Sequence, residues 1–198
     1  MRVAILDYGA GNLHSLAKAL AGPNCSVTIE ADAAKALEHD ALILPGVGAF
    51  GLAAQSIAPH TERLRDAFDG GFPCLGICLG MQLLFDTSEE GEGRGVGIIP
   101  GRVRRLRAAH VPQIGWNDID QRRDEFYDTS GLSSAYFANS FVCEPDDIGS
   151  VTAWATHETD RFAASVKSGS VVGVQFHPEK SSLPGVAFID AFLRTVHQ

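Results

Sequence analysis

Short apolar runs alternate with longer segments of mixed polarity over the first half of the chain. Four of these runs, rich in apolar or β-branched residues, predict buried strands, at residues 3–6, 26–29, 41–44 and 72–75. The segments between them have apolar residues at helical spacing or are rich in helix formers, and they predict helices at residues 13–20, 33–37 and 49–68. Such alternation of strands and helices is typical of a parallel, doubly wound sheet.

The pattern changes after residue 96, where short apolar runs follow one another without helical segments between them. Two runs at residues 163–166 and 171–174 are joined by a short polar turn and predict a hairpin. Apolar residues at helical spacing then predict a closing helix from about Pro184. We therefore predict one α/β domain over residues 1–198, with a mostly parallel central sheet and added antiparallel strands.

The apolar run at residues 72–75 leads into Gly-Ile-Cys-Leu-Gly, residues 76–80, which helix-forming residues follow. A strand, Gly-x-Cys-x-Gly and a helix in this order are the layout of a nucleophile elbow. Glycines let the turn approach neighbouring backbone, and the helix N-terminus favours the thiolate of Cys78. The backbone N–H of Leu79 is then a candidate oxyanion donor. Free cysteine is more often a buried structural residue, but this context favours the nucleophile.

A candidate base lies near the C-terminus, where an apolar strand ends in His-Pro-Glu, residues 177–179. Pro178 biases His177 toward extended backbone, and in an extended chain residues two apart share a face. Glu179 is therefore expected beside His177, where its carboxylate would orient the imidazole that takes the thiol proton of Cys78. We predict a Cys-His-Glu triad from these three residues.

Two glycine-rich turns follow predicted strands. The turn Pro-Gly-Val-Gly at residues 45–48 leaves backbone N–H groups free, which is what an oxyanion hole requires; the alternative is an ordinary loop between a strand and a helix. The turn at residues 9–11 has two glycines of a dinucleotide-binding fingerprint, but His14 occupies the position of the third. An incomplete fingerprint is weak support for nucleotide binding.

Composition narrows the classes of function. The net charge of −8 and the pI near 5.3, without a basic stripe, disfavour nucleic-acid binding. No run approaches the roughly 20 apolar residues of a membrane span, and the N-terminus does not resemble a signal peptide. The four cysteines have neither the spacing of a zinc site nor that of a disulfide framework. We expect no metal, no cofactor, no membrane association and a cytoplasmic location.

Residues 76–82 together with residues 175–179 resemble the motifs of the class I, triad-type glutamine amidotransferases. Further motifs narrow the resemblance to the glutaminase subunits of imidazole glycerol phosphate synthases. They are Asp-Tyr-Gly-Ala-Gly-Asn at residues 7–12, Pro-Gly-Val-Gly-Ala-Phe at 45–50, Ile-Gly-Trp-Asn at 114–117 and Lys-Ser at 180–181. The resemblance covers essentially the whole chain. It implies a three-layer, flavodoxin-like fold and hydrolysis of L-glutamine to L-glutamate and ammonia.

The resemblance also implies a partner. In this family the ammonia passes to a cyclase subunit, a (β/α)₈ barrel that makes imidazole glycerol phosphate and AICAR in L-histidine biosynthesis, and we expect the two subunits to form a heterodimer. The implied substrate-contacting residues are Gly46, Val47, Gly48, Leu79, Gln82, Ser140 and Phe141. The implied partner-contacting residues are Asn12, Trp116 and Lys180. For Trp116 the alternative is a core aromatic.

Gln113 and Asn139 stand where this family often has histidine, so the resemblance assigns no role to either side chain. Three alternatives to the glutaminase subunit stay open. The first is the glutaminase partner of pyridoxal phosphate synthase, which the Gly-Trp-Asn motif disfavours. The second is a stand-alone cysteine hydrolase or stress-response protein of similar fold. The third is a binding module with a decayed site, which the complete triad disfavours.

Overall fold

The computed structural model describes residues 1–9, 13–22 and 25–196 of the chain. Its strands are, in chain order, β1 (Arg2–Leu6), β2 (Ser26–Glu30), β3 (Ala41–Leu44), β4 (Cys74–Ile77), β5 (Thr87–Ser88), β6 (Gly101–Arg105), β7 (Gln113–Asp118), β8 (Ser134–Asn139), β9 (Phe141–Pro145), β10 (Val151–His157), β11 (Asp160–Ser168) and β12 (Val171–Val174). Its α-helices are α1 (His14–Leu20), α2 (Ala33–Ala36), α3 (Phe50–Ile57), α4 (Thr61–Asp69), α5 (Leu79–Gln82), α6 (Glu125–Ser130) and α7 (Ser182–Thr195). Turns of 3₁₀-helix cover Ala58–His60, Ile148–Ser150 and Pro178–Lys180.

The central sheet has the strand order β2-β1-β3-β4-β12-β11-β10. The sheet is parallel over its first five strands in this order, which end with β12. Strands β11 and β10 then continue it in antiparallel pairing. The prediction of a mostly parallel sheet with added antiparallel strands is therefore confirmed. In such open sheets, ligands bind beyond the carboxyl ends of the parallel strands, which is where the residues after β3, β4 and β12 meet.

Helices cover both faces of the central sheet and make two apolar cores. Alternate strand residues such as Val3 and Ile5 face one core, which contains apolar side chains of α1, α6 and α7. The residues between them, such as Ala4 and Leu6, face the other core, with side chains of α2, α3 and α4. Because side chains alternate across a strand, continuous apolar runs are needed to fill both cores. The result is the predicted three-layer arrangement.

Two smaller sheets stand beside the central one, with the strand orders β5-β6-β9 and β7-β8. Strand β8 approaches the carboxyl ends of the central strands, since the carbonyl of Tyr136 accepts from the N–H of His177 at 2.8 Å. The sequence pattern did not predict β7, β9, β10 or α6 as separate elements. No helix in the described part of the chain is both long enough and apolar enough to cross a bilayer.

The helix after Cys78 is shorter than the sequence predicts. Helix α5 ends at Gln82, and the apolar residues that follow it leave the helical path. The carbonyl of Leu83 accepts from the N–H of Val96 at 2.7 Å, and the carbonyl of Leu84 accepts from the N–H of Ile99 at 3.1 Å. These long-range hydrogen bonds replace helical ones, so the chain after Gln82 forms a turn rather than more helix. The apolar side chains of this turn are nevertheless buried.

Candidate active site

The predicted elbow at Cys78 has strained backbone that two glycines make possible. Cys78 has φ 49° and ψ −103°, a conformation that costs energy in a residue with a Cβ and that clusters at functional sites. A Cβ added at Gly76 would lie 2.6 Å from the carbonyl oxygen of Gly80, and one added at Gly80 would lie 1.9 Å from that of Leu44. Only glycine fits at either position, because the turn approaches neighbouring backbone so closely.

His177 lies three residues after β12, beside Cys78 and Glu179. Its Nδ1 is 2.8 Å from Glu179 Oε1, and its Cε1 and the Cβ of Cys78 each lie 2.9 Å from the position that a Cβ at Gly46 would take. The backbone is held as well, since the N–H of His177 donates to the carbonyl of Tyr136 at 2.8 Å and the hydroxyl of Ser181 donates to the His177 carbonyl at 2.7 Å. The imidazole thus has both neighbours that a base in a triad requires.

Glu179 reaches His177 by a different backbone path from the one predicted. His177 is extended, with φ −102° and ψ 94°, but Pro178–Lys180 is a turn of 3₁₀-helix. The expectation of extended chain through Glu179 was therefore wrong. Pro178 fits the first turn of a helix, because that position needs no N–H donor. The tight turn still places the carboxylate against Nδ1.

Hydrogen bonding opposes burial in setting the protonation of His177. Burial alone would lower the pKa of the imidazole, but hydrogen bonds to Cys78 and Glu179, and their negative charges, raise its pKa to about 9. The charged imidazolium is therefore favoured where His177 lies between the Cys78 side chain and the Glu179 carboxylate. Burial raises the pKa of the thiols of Cys74 and Cys143, which makes them poor nucleophiles at neutral pH. All four cysteines are free thiols.

The glycine-rich turn after β3 packs directly on these residues. A Cβ added at Gly46 would lie 2.9 Å from both Cys78 Cβ and His177 Cε1. Gly48 has φ +99°, which favours glycine. Gly46 and Gly48 line the same cavity as Cys78, whereas Val47 is not among its lining residues. The turn therefore brings backbone groups to the sulfur, as the prediction of an oxyanion hole requires.

The cavity beside Cys78 has a volume of about 190 Å³. It is lined by Gly46, Gly48, Cys78, Leu79, Gln82, Glu90, Ala138, Asn139, Ser140 and Phe141. Gln82 Nε2 donates to the carbonyl of Phe141 at 3.3 Å, and Asn139 Nδ2 donates to the same carbonyl at 3.1 Å. The end of β8 and the start of β9 thus form one wall of the cavity. Of the seven predicted substrate-contacting residues, all but Val47 line the cavity.

Glu90 is a cavity residue that the sequence analysis missed. Glu90 is exposed to solvent and also lines the cavity beside Cys78. Its Oε2 accepts a hydrogen bond of 3.1 Å from the N–H of Phe50, at the start of α3. Carboxylates are stabilised by free N–H groups at a helix N-terminus, which fixes the side chain. No sequence pattern distinguishes Glu90 from its acidic neighbours, so this role depends on tertiary structure.

Two of the three residues predicted to contact a partner, Trp116 and Lys180, lie on or near the β7-β8 sheet. Trp116 is 56% exposed and Ile114 is 68% exposed, so the alternative that Trp116 is a core aromatic is wrong. Lys180 Nζ lies 6.0 Å from the ring centroid of Tyr136, the cross-strand neighbour of Trp116. Asn12, the third predicted contact, lies outside the described residues.

Gln113 and Asn139, which replace histidines common in the resembled family, face each other across β7 and β8. Both are buried, and Gln113 Oε1 and Asn139 Oδ1 have no hydrogen-bond partner within the described ranges. Asn139 lines the cavity, whereas Gln113, its cross-strand neighbour on β7, does not. The two departures from the family pattern therefore lie opposite each other on neighbouring strands, and only Asn139 borders the cavity.

Comparison with known proteins shows the family and the fold of the chain. Residues 4–195 match the family model described as glutamine amidotransferase class-I. Imidazole glycerol phosphate synthase subunit HisH of Halobacterium salinarum is 41% identical over 96% of this chain and 92% of its own length. The HisH subunit of Microcystis aeruginosa is 39% identical, over 99% and 96% respectively, and that of Thermus thermophilus is 41% identical, over 96% and 95%.

Solved structures share the fold at lower sequence identity. A crystal structure of a glutamine amidotransferase superimposes with a TM-score of 0.75 at 19% identity, covering 99% of both chains. A chain of PurLQS from Thermotoga maritima superimposes with a TM-score of 0.71 at 21% identity, covering 98% of both. The fold class is therefore the one that the sequence motifs implied. By its match to the family model and its identity with full-length relatives, the chain belongs to the class-I glutamine amidotransferases and, within them, to the HisH subunits of imidazole glycerol phosphate synthase.

Proposed function

We propose that this chain hydrolyses the side-chain amide of L-glutamine with Cys78 as nucleophile, His177 as base and Glu179 as the group that orients the base. The observation that carries the proposal is the position of His177, which lies beside Cys78 where both side chains pack on Gly46, is 2.8 Å from Glu179 Oε1 on its other side, and adjoins the cavity that Cys78 lines. Membership in the HisH family supplies the substrate, since these subunits are glutamine amidotransferases.

The reaction follows from the placement of these groups. The sulfur attacks the amide carbon, and the oxyanion binds the N–H of Leu79 and an N–H of the turn at residues 46–48. The C–N bond then breaks, the imidazolium of His177 gives its proton to the leaving nitrogen, and ammonia departs from a thioester. His177 next takes a proton from water, whose oxygen attacks the thioester; the C–S bond breaks and glutamate leaves.

The amino-acid end of glutamine fits the polar mouth of the cavity. The carboxylate of Glu90 can pair with the α-ammonium group, because it carries the opposite charge and lines the same cavity as Cys78. Gln82 has its N–H₂ group held by the Phe141 carbonyl, so its oxygen is the end that can accept from the ammonium. Backbone groups near Ser140 and Phe141 can contact the α-carboxylate.

The ammonia passes to a cyclase subunit, with which the chain forms a heterodimer. Neutral ammonia would be protonated and lost in water, so a glutaminase that serves a synthase needs a sheltered path to its partner. The β7-β8 face, with exposed Ile114 and Trp116, is the proposed docking surface, and Lys180 lies beside it. Exposed apolar residues in one patch are typical of such surfaces.

The direct test is release of glutamate from L-glutamine by the complex of this chain with a cyclase subunit. We expect glutamate and ammonia in equal amounts. We expect no product from L-asparagine, because its side chain is one methylene shorter and its amide would not reach Cys78 while its amino-acid end is bound at the mouth of the cavity. A folded complex that releases no glutamate would overturn the proposal.

We expect His177→Asn to be nearly inactive and Glu179→Gln to keep measurable activity. His177 moves a proton in both half-reactions, whereas Glu179 orients and stabilises the imidazole; loss of the orienting carboxylate costs about 10⁴-fold in a serine protease. Glutamate release by the complex at saturating glutamine is the measurement. A larger loss in Glu179→Gln than in His177→Asn would mean that the two roles are wrongly assigned.

We expect Glu90→Gln to raise KM for glutamine about tenfold or more with a smaller effect on kcat, since the ion pair to the α-ammonium is made in substrate and transition state alike. Glu89→Gln is the matched control, because Glu89 is the adjacent carboxylate and accepts from the N–H of Arg105 instead. Equal KM values in Glu90→Gln and Glu89→Gln would remove Glu90 from the binding site.

A further inference from the structure

Gln175 lies beside the nucleophile and has no part in the mechanism above. Its side chain is completely buried, and its Nε2 is 3.5 Å from Cys78 Sγ. The sheet dictates this position: β12 and β4 pair in parallel with Val174 opposite Ile77, so Gln175 and Cys78 are the next residues on neighbouring strands. The N–H of Cys78 donates to the Val174 carbonyl at 2.7 Å, which continues the pairing to the sulfur.

The other end of the Gln175 amide is unpaired. Gln175 Oε1 is buried and has no hydrogen-bond partner in the described part of the chain. An unpaired buried carbonyl destabilises a fold, and an apolar side chain of similar volume would avoid this cost. Packing alone therefore favours methionine or leucine at this position. What an apolar residue cannot provide is the N–H donor at the sulfur.

We propose that Gln175 is a catalytic residue whose amide N–H stabilises the thiolate of Cys78. A carboxamide suits this task, because it donates a hydrogen bond to an anion but does not give up its proton, whereas the imidazolium can return its proton to the sulfur. The same donor helps the second half-reaction, when the C–S bond of the thioester breaks and its electron pair returns to sulfur. The proposal rests on Cys78 being the nucleophile.

The test is the rate of Cys78 alkylation by iodoacetamide as a function of pH, with the labelled residue identified by mass spectrometry. We expect Gln175→Met to lower the rate at neutral pH by about 10- to 100-fold and to move the profile to higher pH, because a hydrogen bond to the charged form is lost. Gln175→Glu should move it further, since a carboxylate beside the thiolate repels it. The unfolding temperature of Gln175→Met should be unchanged or higher.

Gln113→Met is the matched control, because Gln113 is also a buried glutamine whose Oε1 is unpaired but lies in the β7-β8 sheet. Its alkylation profile should coincide with that of the wild-type chain. The proposed role of Gln175 would be overturned if a folded Gln175→Met variant kept the wild-type alkylation profile, or if Gln113→Met moved that profile by the same amount. Neither result would affect the assignment of Cys78 as the nucleophile. Wild-type Cys78 that reacts no faster than Cys25 would overturn the assignment of the nucleophile itself.

A second measurement decides the matter if Gln175→Met does not fold. In the wild-type chain, the side-chain amide resonances of Gln175 should shift with pH as the thiol of Cys78 ionises, and the shift should vanish in Cys78→Ala. Gln175 amide resonances that stay constant over the range in which Cys78 becomes reactive would overturn the proposal.

Discussion

Cys78→Ala should lower glutamate release by at least about 10⁴-fold while the fold and the binding of the cyclase persist. Loss of a covalent nucleophile removes the thioester route altogether, and the oxyanion donors and the bound substrate give only a small residual rate. The alanine side chain keeps the Cβ that packs against Gly46, so the elbow loses a sulfur but little packing. Glutamate release by the complex is the measurement, with circular dichroism and co-elution with the cyclase as checks on structure.

Labelling with an electrophilic glutamine analogue gives the complementary result. Cys78 should be the residue modified, because burial raises the pKa of the Cys74 and Cys143 thiols and His177 lies beside Cys78 alone. Cys25→Ala is the control, since Cys25 is the least buried of the other cysteines. This variant should still be labelled, and only at Cys78. Modification of Cys74 in the folded chain would contradict the assignment.

The sequence predicted best those elements that are buried on both faces. The runs that became β1, β3, β4 and β12 are continuously apolar because each contributes side chains to two cores. Strand β7 has the opposite pattern, in which Ile114 and Trp116 are exposed and Gln113 is buried. A strand whose apolar residues are exposed and whose polar residue is buried cannot be recognised from alternation alone, which is why β7 was not predicted.

The residues of the candidate site also differ in how they can be predicted. Some are marked by a local sequence motif, and others are placed by contacts with distant parts of the chain. The arrangement of Cys78, His177 and Glu179 was predictable because glycines at fixed offsets mark the elbow and His-Pro-Glu follows a strand. Glu90 and Asn139 were not, because the first is placed by the start of α3 and the second by the turn between β8 and β9. Gln175 depends on the register between β12 and β4, which no property of either segment determines by itself.

The β7-β8 sheet connects the proposed docking surface to the catalytic residues. Tyr136 pairs with the exposed Trp116, and its carbonyl accepts the hydrogen bond from the backbone N–H of His177 at 2.8 Å. The same strand ends in the wall of the cavity, at Ala138 and Asn139. A partner that binds Trp116 therefore contacts an element that also holds the base and shapes the substrate cavity.

The isolated chain should be a poor glutaminase, and the cyclase with its nucleotide ligand should raise glutamate release by roughly 10²–10³-fold. That is the effect of one oxyanion donor, and the turn at residues 46–48 is the place where one can be gained. Glycines on both sides of Val47 make rotation of a peptide sterically cheap; one orientation presents an N–H to the oxyanion and the other presents a carbonyl, which repels it. Docking shifts the population only if the cyclase contacts the two states differently.

The measurement is glutamate release by the chain alone, with the cyclase, and with the cyclase and its ligand; equal rates in all three would remove the switch. Alkylation of Cys78 by iodoacetamide under the same conditions locates its origin. That reaction forms no oxyanion, so a switch at residues 46–48 should leave its rate almost unchanged while hydrolysis rises. If the cyclase accelerates alkylation as much as hydrolysis, activation acts on the thiolate and its neighbours His177 and Gln175, and the turn is a fixed part of the site.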